Sequence, residues 1–167
     1  MKSPRATFIH PRLMASLGVL LSCIVVHAQN NKYACSEPNP QSLCNASNTC
    51  GSFFKPCTVD VKRDDYGSSA TPDIPNAKGN GTFCVNTGTT IVWKSTQKNR
   101  GFVVDFGPSS PFGSEDAIVG GARHSVSVTA MEPGCYKYSA GACVSGALQG
   151  MCGSTMAEAI IIATGSP

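Results

Sequence analysis

Apolar and polar residues alternate in several short stretches, and glycine, proline, serine and threonine separate these stretches from one another. In CTVDVK, the two-residue period places Val59 and Val61 on one face of a strand. Similar alternation and β-branched content recur further along the chain. Together these patterns predict strands over 57–62, 82–86, 89–94, 102–106 and 124–130.

The last thirty or so residues carry the strongest strand signals. In GCYKYSA, Tyr136, Tyr138 and Ala140 share one face, which we expect to be buried. The run MAEAIIIA over 156–163 has the length and composition of a buried closing strand. About seven short strands and no convincing helix predict an all-β fold, an antiparallel Greek-key β-sandwich.

Three connecting segments complete this prediction. The segment 64–81 is rich in proline, glycine and small polar residues and predicts an exposed loop without regular structure. The segment 107–121 also predicts a loop, in which Phe112 covers one end of the sandwich. The glycine-rich segment 141–154 is a third loop. Trp93, a lone tryptophan in an apolar strand, is expected in the core.

The beginning of the chain is typical of a secretory leader. Basic residues precede an apolar run over 13–26, and the small residue Ala28 follows it. The run is shorter than the roughly 20 residues that span a bilayer. We therefore expect a signal peptide over 1–28 and a secreted protein, either extracellular or periplasmic, without a membrane anchor.

Removing the leader would leave ten basic and ten acidic residues, since three of the 13 basic residues and none of the ten acidic ones precede residue 29. The remaining charges form no basic stripe that could neutralise a phosphate backbone. The composition therefore argues against a nucleic-acid partner. Because the protein is expected to be secreted, we expect its partner to be an extracellular protein or a surface ligand.

Eight cysteines would remain after the leader and Cys23 are removed. An even number in an exported chain predicts disulfides rather than free thiols, and spacing alone leaves the pairing open, with bridges inside or between two groups over 35–57 and 84–152. Cys143 and Cys152 are suitably spaced to close the glycine-rich loop. The eight cysteines are Cys35, Cys44, Cys50, Cys57, Cys84, Cys135, Cys143 and Cys152.

The region 29–56 is rich in asparagine, serine, proline and cysteine and has neither helical nor strand periodicity. Its apolar content is too low to order it by burial, so disulfides must stabilise it, and we expect it to cap an edge of the sandwich. The predicted organisation is thus a cysteine-rich N-terminal extension over 29–56 followed by one domain over 57–167.

Two stretches resemble the cupredoxin fold of the plastocyanin and azurin type. The tyrosine strand, the loop after it and the final strand look like the last two cupredoxin strands, which flank a copper-ligand loop. Residues 88–106, GTTIVWKSTQKNRGFVVDF, look like the Trp-bearing strand and the strand that begins near the first histidine ligand. The resemblance covers roughly residues 82–163 and implies a cupredoxin-like sandwich.

The same resemblance implies a blue-copper centre, whose two imidazoles and thiolate this chain does not supply. His10 and His27 lie in the leader, so only His124 would remain. Phe102 or Gly101 stands where the family carries its first histidine, and Ala140 where it carries its cysteine. We therefore expect no type 1 copper site and no resident cofactor.

The sequence contains few residues that could support another metal site or a catalytic site. A non-standard copper site built from His124, Met151 and Met156 is the alternative, which would make the protein a copper-handling or electron-transfer protein. Adjacent carboxylates at Asp64–Asp65 and Glu115–Asp116 are typical of solvated turns rather than of a glycosidase pair. No nucleophile elbow, phosphate-binding glycine loop or Cys-x-x-Cys motif occurs. The sequence favours a binding or structural module over an enzyme or an inhibitor of one.

Overall fold

The computed structural model describes residues 33, 35, 37–121, 123–144, 152, 154–156 and 160–163. Apart from a 3-10 helix over Pro40–Leu43, the regular structure of these residues consists of strands, which confirms the all-β prediction. The strands are β1 (Cys57–Asp64), β2 (Gly67–Pro72), β3 (Phe83–Asn86), β4 (Thr90–Lys94), β5 (Arg100–Asp105), β6 (Ile118–Gly121), β7 (Val126–Thr129), β8 (Gly134–Tyr136), β9 (Ser139–Val144), β10 (Ser154–Met156) and β11 (Ile160–Ala163).

The described strands form three sheets. Their orders are β2-β1-β4-β7, β10-β9-β5-β6 and β3-β11-β8, and we call them the first, second and third sheet. The pairings of β1 with β4 and of β3 with β11 are parallel, and the remaining pairings are antiparallel. The expectation of a purely antiparallel sandwich is therefore wrong. The strands that pair in parallel are far apart in sequence, so no local turn pattern could predict these pairings.

The core contains residues from all three sheets. On β1 the predicted alternation is observed, with Val59 and Val61 completely buried. Trp93 is also completely buried, and its ring lies edge-on to Tyr138 at a centroid distance of 5.4 Å. Phe106 packs against both rings, and Phe112 contacts Phe106 edge-on at 5.1 Å. Trp93 therefore has the predicted core role, and Phe112 covers this aromatic cluster.

The predicted loop over 64–81 is wrong in its first half, which forms β2 and pairs with β1. Ser68, Ala70 and Pro72 are the buried members of its alternation, and none of them is a large apolar or β-branched residue that would predict a strand. The hydroxyl of Ser68 accepts a 3.0 Å hydrogen bond from the N–H of Ala142 on β9. Asn80 covers the outer edge of β2: its side-chain oxygen accepts from the N–H of Ala70, and its side-chain nitrogen donates to the carbonyl of Ser68.

Two further boundaries differ from the prediction. The last residues of the predicted loop 107–121 form β6, which pairs with β5. The tyrosine strand is divided: β8 pairs with β11 in the third sheet, whereas β9 pairs with β5 in the second. Tyr138 and Ala140 are buried as predicted, and Tyr136 is half-buried. The two-residue alternation of core-facing side chains continues from β8 to β9 because both strands direct one face toward the same core.

The end of the chain differs in the same way. The expected single strand over 156–163 is observed as the end of β10 and as β11, which belong to different sheets. Ile162 on β11 is completely buried. Residues 157–159 and most of the glycine-rich loop lie outside the described residues, as does the predicted leader over 1–28.

Four disulfides join the eight cysteines. Two bridges link the N-terminal region to distant strands, Cys35 to Cys135 and Cys44 to Cys84. Cys50 pairs with Cys57, and Cys143 pairs with Cys152 as the spacing suggested. Four disulfides in a chain of this size indicate that it folds in an oxidising compartment.

Candidate functional site

The two positions at which the resemblance implies copper ligands lie on neighbouring strands. Phe102 on β5 is paired with Ala142 on β9, and Ala140 is paired with Val104, two residues further along β5. All four side chains are buried and face the core. The topology therefore brings these positions together on two paired strands.

The residues at these positions do not fit a copper ion. Phe102 and Ala140 carry only hydrocarbon, and the Phe102 ring lies so close to Gly120 that a β-carbon on Gly120 would overlap it. An imidazole and a thiolate would both be needed here. The space is filled by an aromatic ring, and no chemical step can be assigned to a metal at this position.

The alternative ligands do not converge among the residues that the structure describes. His124 is exposed beside β6, where its backbone exchanges two hydrogen bonds with Gly121. Met156 lies on β10, at the opposite edge of the second sheet, so three strand spacings, about 14 Å, separate β10 from β6. Met151 lies outside the described residues. Within the described part of the chain, no group of three or more His, Cys, Asp or Glu side chains is placed to hold a metal.

The acidic pairs have structural roles in turns. One oxygen of Asp64 accepts hydrogen bonds from the N–H groups of Tyr66 and Gly67, which closes the turn between β1 and β2. Asp116 accepts from the hydroxyl of Ser114, which in turn accepts from the N–H of Asp116. Hydrogen bonds of this kind are common wherever aspartate and serine stabilise turns. Neither arrangement resembles a pair of facing catalytic carboxylates.

The most unusual surface feature is the loop over 50–57, which the Cys50–Cys57 disulfide closes. We call it the aromatic loop. Both cysteines are completely buried. The N–H of Ser52 donates to the carbonyl of Lys55 at 2.7 Å, and the N–H of Lys55 donates back to the carbonyl and the hydroxyl of Ser52. These bonds hold two residues, Phe53 and Phe54, at the tip of a tight turn.

The base of the aromatic loop is packed against the sandwich. Gly51 has a positive φ of 73°, and a β-carbon there would lie 2.7 Å from the nitrogen of Cys57 and 2.9 Å from a methyl of Thr89. The N–H of Cys50 donates to the carbonyl of Cys84 at 2.8 Å. The disulfide, the tight packing and these hydrogen bonds make the loop a rigid extension of the core.

The tip, in contrast, projects into solvent. Phe53 is 77% exposed and Phe54 is 93% exposed, and their rings contact each other edge-on at 5.2 Å. Turn tips are ordinarily occupied by glycine, proline, asparagine, aspartate or serine, because large apolar side chains gain nothing from exposure. Lys55 follows directly, and its ammonium has no ion-pair partner among the described residues. The loop thus presents two aromatic rings beside one positive charge.

A second surface feature lies where the first and second sheets meet. Strand β6 is the last strand of the second sheet and β7 is the last strand of the first, and Gly121 at the end of β6 exchanges two backbone hydrogen bonds with His124, which precedes β7. Between these edges lies a depression of about 380 Å³, which we call the edge cleft. Ser114 and Asp116 are the polar residues of its lining. The rest of the lining is apolar and consists of Phe112, Ala117, Ile118, Val119, Val126 and Val128.

A second depression, of about 460 Å³, is polar and contains Glu115, Glu132 and Tyr136. The Tyr136 hydroxyl donates to the backbone carbonyl of Glu132 at 3.2 Å. Partial burial raises the pKa of Tyr136, and the negative charge of Glu132 adds to the increase. A tyrosine that holds its proton more firmly is a poor base at neutral pH, so this depression contains no general base other than its exposed carboxylates.

Strand periodicity and motif spacing did not single out Phe53 and Phe54 as functional residues. A signal was present, because two adjacent phenylalanines stand inside a Cys-x6-Cys segment flanked by glycine, serine, lysine and proline. So short a closed loop has no interior, and it cannot bury two large rings by itself. The edge cleft, by contrast, joins residues from separate segments, and no local pattern indicates it.

Comparisons of the chain with protein-family models, with curated proteins and with solved structures find no match. In the described part of the chain, no helix has the length and apolar character needed to cross a membrane.

Proposed function

We propose that this protein is a secreted binding module, a disulfide-stabilised sandwich of cupredoxin-like type without a type 1 copper site, and that the aromatic loop is its recognition element. The observation that carries the proposal is the pair of exposed rings, Phe53 and Phe54, on a loop whose base is buried and covalently closed. A resident cofactor and a catalytic activity form no part of the proposal.

Rigid presentation of aromatic side chains favours binding. Each phenylalanine contributes about 1.5 to 3 kcal/mol when it is transferred from water to an apolar site. The turn and the disulfide fix the loop before binding, so little conformational entropy is lost when a partner engages it. Aromatic residues with these properties commonly dominate the energy of protein interfaces.

The position equivalent to the copper site supports the same function. Phe102 occupies it as a buried aromatic ring, which stabilises the frame by packing. The single histidine of the described residues, His124, is exposed and lies beside a turn. A scaffold arranged in this way serves to position surface loops.

The recognition role is tested by immobilising the purified protein and exposing it to the extracellular proteins of its source organism. We expect a bound fraction that disappears in the double variant Phe53→Ser/Phe54→Ser and remains in Tyr66→Ser. Tyr66 is a suitable control because it is 99% exposed on a different turn. Capture that is equal for the wild type and the loop variant would refute the role of the loop.

Copper titration tests the missing metal site. We expect no intense visible charge-transfer band and no stoichiometric copper after dialysis of the secreted protein. If a band forms and disappears on substitution of His124, Met151 and Met156, the alternative copper-handling function is correct and the present proposal is wrong.

A further inference from the structure

The aromatic loop and the edge cleft are chemically complementary, although they belong to different surfaces of one chain. We propose that the edge cleft receives the aromatic loop of a second copy of the protein, which makes the chain self-associating in a head-to-tail manner. This inference rests on the proposed function, because it takes the aromatic loop as the recognition element. It identifies the partner as a second copy of the chain.

The cleft has the properties of a docking site for apolar side chains. It lies between the free edges of β6 and β7, where neither sheet has a further neighbour among the described strands. Val119 at its margin is 60% exposed, and Val126 and Val128 are only half-buried although they belong to the inner face of β7. An exposed apolar depression at unprotected strand edges is a typical place for a protein partner to bind.

The loop supplies what the cleft lacks. Phe53 and Phe54 are the large apolar groups that could cover Val119 and its neighbours, and the cleft volume of about 380 Å³ is in the range of ordinary binding pockets. Because Phe54 is 93% exposed, it does not occupy the cleft of its own chain. The contact must therefore form between copies.

Charge sets the orientation of this contact. Lys55 follows the two rings, and Asp116 stands at one side of the cleft. Neither side chain has an ion-pair partner among the residues that the structure describes, and Asp116 keeps one carboxylate oxygen free of its bonds with Ser114. Opposite charges at the rim of an interface mainly determine its register and its association rate.

The symmetry of the contact follows from its two unlike halves. Each copy has one aromatic loop and one edge cleft. When the loop of one copy binds the cleft of another, the first copy keeps a free cleft and the second keeps a free loop. Such a heterologous interface continues into longer assemblies unless a rotation closes a ring. A two-fold symmetric dimer is therefore not expected.

The test is a complementation experiment with two variants. The loop variant Phe53→Ser/Phe54→Ser keeps the cleft, and the cleft variant Val119→Lys keeps the loop. By sedimentation velocity up to about 1 mM, where weak contacts become populated, we expect the wild type to form assemblies and each variant alone to remain monomeric. An equimolar mixture of the variants should form heterodimers and nothing larger.

Charge reversal provides an independent measurement that does not alter the apolar groups. Lys55→Glu and Asp116→Lys are both surface changes, so both variants should fold, which circular dichroism checks. We expect each to weaken self-association at least tenfold and the two together in one chain to restore it. Tyr66→Ser should leave the assemblies unchanged.

The inference is overturned if the wild type stays monomeric at the highest concentration, or if the mixed loop and cleft variants fail to associate. A monomeric wild type whose loop still captures an extracellular protein would leave the proposed function standing and refute only self-association. Assemblies that persist in the loop variant would also refute the inference, because the aromatic loop would then not form the contact between copies.

Discussion

Gly107→Ala is expected to displace the N-terminal segment from the sandwich. Gly107 has a positive φ of 62°, and a β-carbon there would overlap the ring of Tyr33. Tyr33 is 7% exposed, and its hydroxyl donates a 2.6 Å hydrogen bond to one oxygen of Asp105. The other oxygen of Asp105 accepts from the N–H of Gly107 at 2.8 Å. One substitution therefore affects the backbone and the docked tyrosine together.

The decrease in the free energy of unfolding caused by Gly107→Ala has a backbone part and a part due to Tyr33. A non-glycine residue in the left-handed region costs about 1 to 2 kcal/mol. Expelling Tyr33 loses about 1.5 to 3 kcal/mol of aromatic burial and about 1.5 to 3 kcal/mol of hydrogen bonding to a carboxylate. Gly107→Ala should thus lower the free energy of unfolding by about 4 to 8 kcal/mol. In a Tyr33→Ala background only the backbone part remains, about 1 to 2 kcal/mol.

Urea unfolding with the disulfides intact, followed by circular dichroism, measures both differences. Gly113→Ala is the matched control, because Gly113 also has a positive φ, of 74°, whereas its β-carbon would meet only the sulfur of Met131 at 3.6 Å. Its cost should be about 1 to 2 kcal/mol in both backgrounds. If Gly107→Ala costs the same with and without Tyr33, the docking of this tyrosine against Gly107 is refuted.

Three further outcomes are expected. Ser68→Ala leaves the buried N–H of Ala142 without its acceptor and should lower the free energy of unfolding by about 1 to 3 kcal/mol in urea; an unchanged midpoint would exclude this bond. The Tyr138 hydroxyl has no hydrogen-bond partner among the described residues, and burial raises its pKa. Above the ordinary pKa of tyrosine, the unfolded state loses this proton while the folded state keeps it. The free energy of unfolding should therefore be unaffected by this group below that pKa and should fall as the pH rises above it. Tyr138→Phe should be neutral or stabilising at pH 7 and should reduce the alkaline loss measured by thermal unfolding, whereas an equal loss would assign it to other groups. Replacing Cys44 and Cys84 by alanine opens a 40-residue separation and should cost about 4 kcal/mol on the chain-entropy model, and a cost near zero would show that the bridge does not constrain the unfolded chain.

Local patterns predicted much of the fold. Alternation identified strands at β1, β4, β5 and β7 because each carries large apolar side chains on the face that packs against the core. The same reasoning did not find β2, whose buried face consists of Ser68, Ala70 and Pro72, residues that do not predict a strand. That strand exists because β1 supplies backbone partners on one side and the side chain of Asn80 covers the other.

The candidate site divides in the same way. The exposed rings of Phe53 and Phe54 lie in a segment too short to bury them, so their exposure follows from local chain length and from the disulfide that closes it. The edge cleft has no such local origin. It arises where β6 ends one sheet and β7 ends another, and only the order of strands in both sheets reveals that these two edges are neighbours.

Taken alone, the sequence determined the β character of the chain, the even number of cysteines after the proposed leader, and the lack of a second imidazole beside His124 in that mature part. These are properties of composition and of short-range alternation, which do not depend on how the strands pair. Tertiary structure alone decided the two long-range disulfides Cys35–Cys135 and Cys44–Cys84, the parallel neighbours, the change of sheet after Tyr136 and the position of the cleft. Each of these joins residues that are distant in sequence, and the free energy of such contacts comes from burial shared across the whole core.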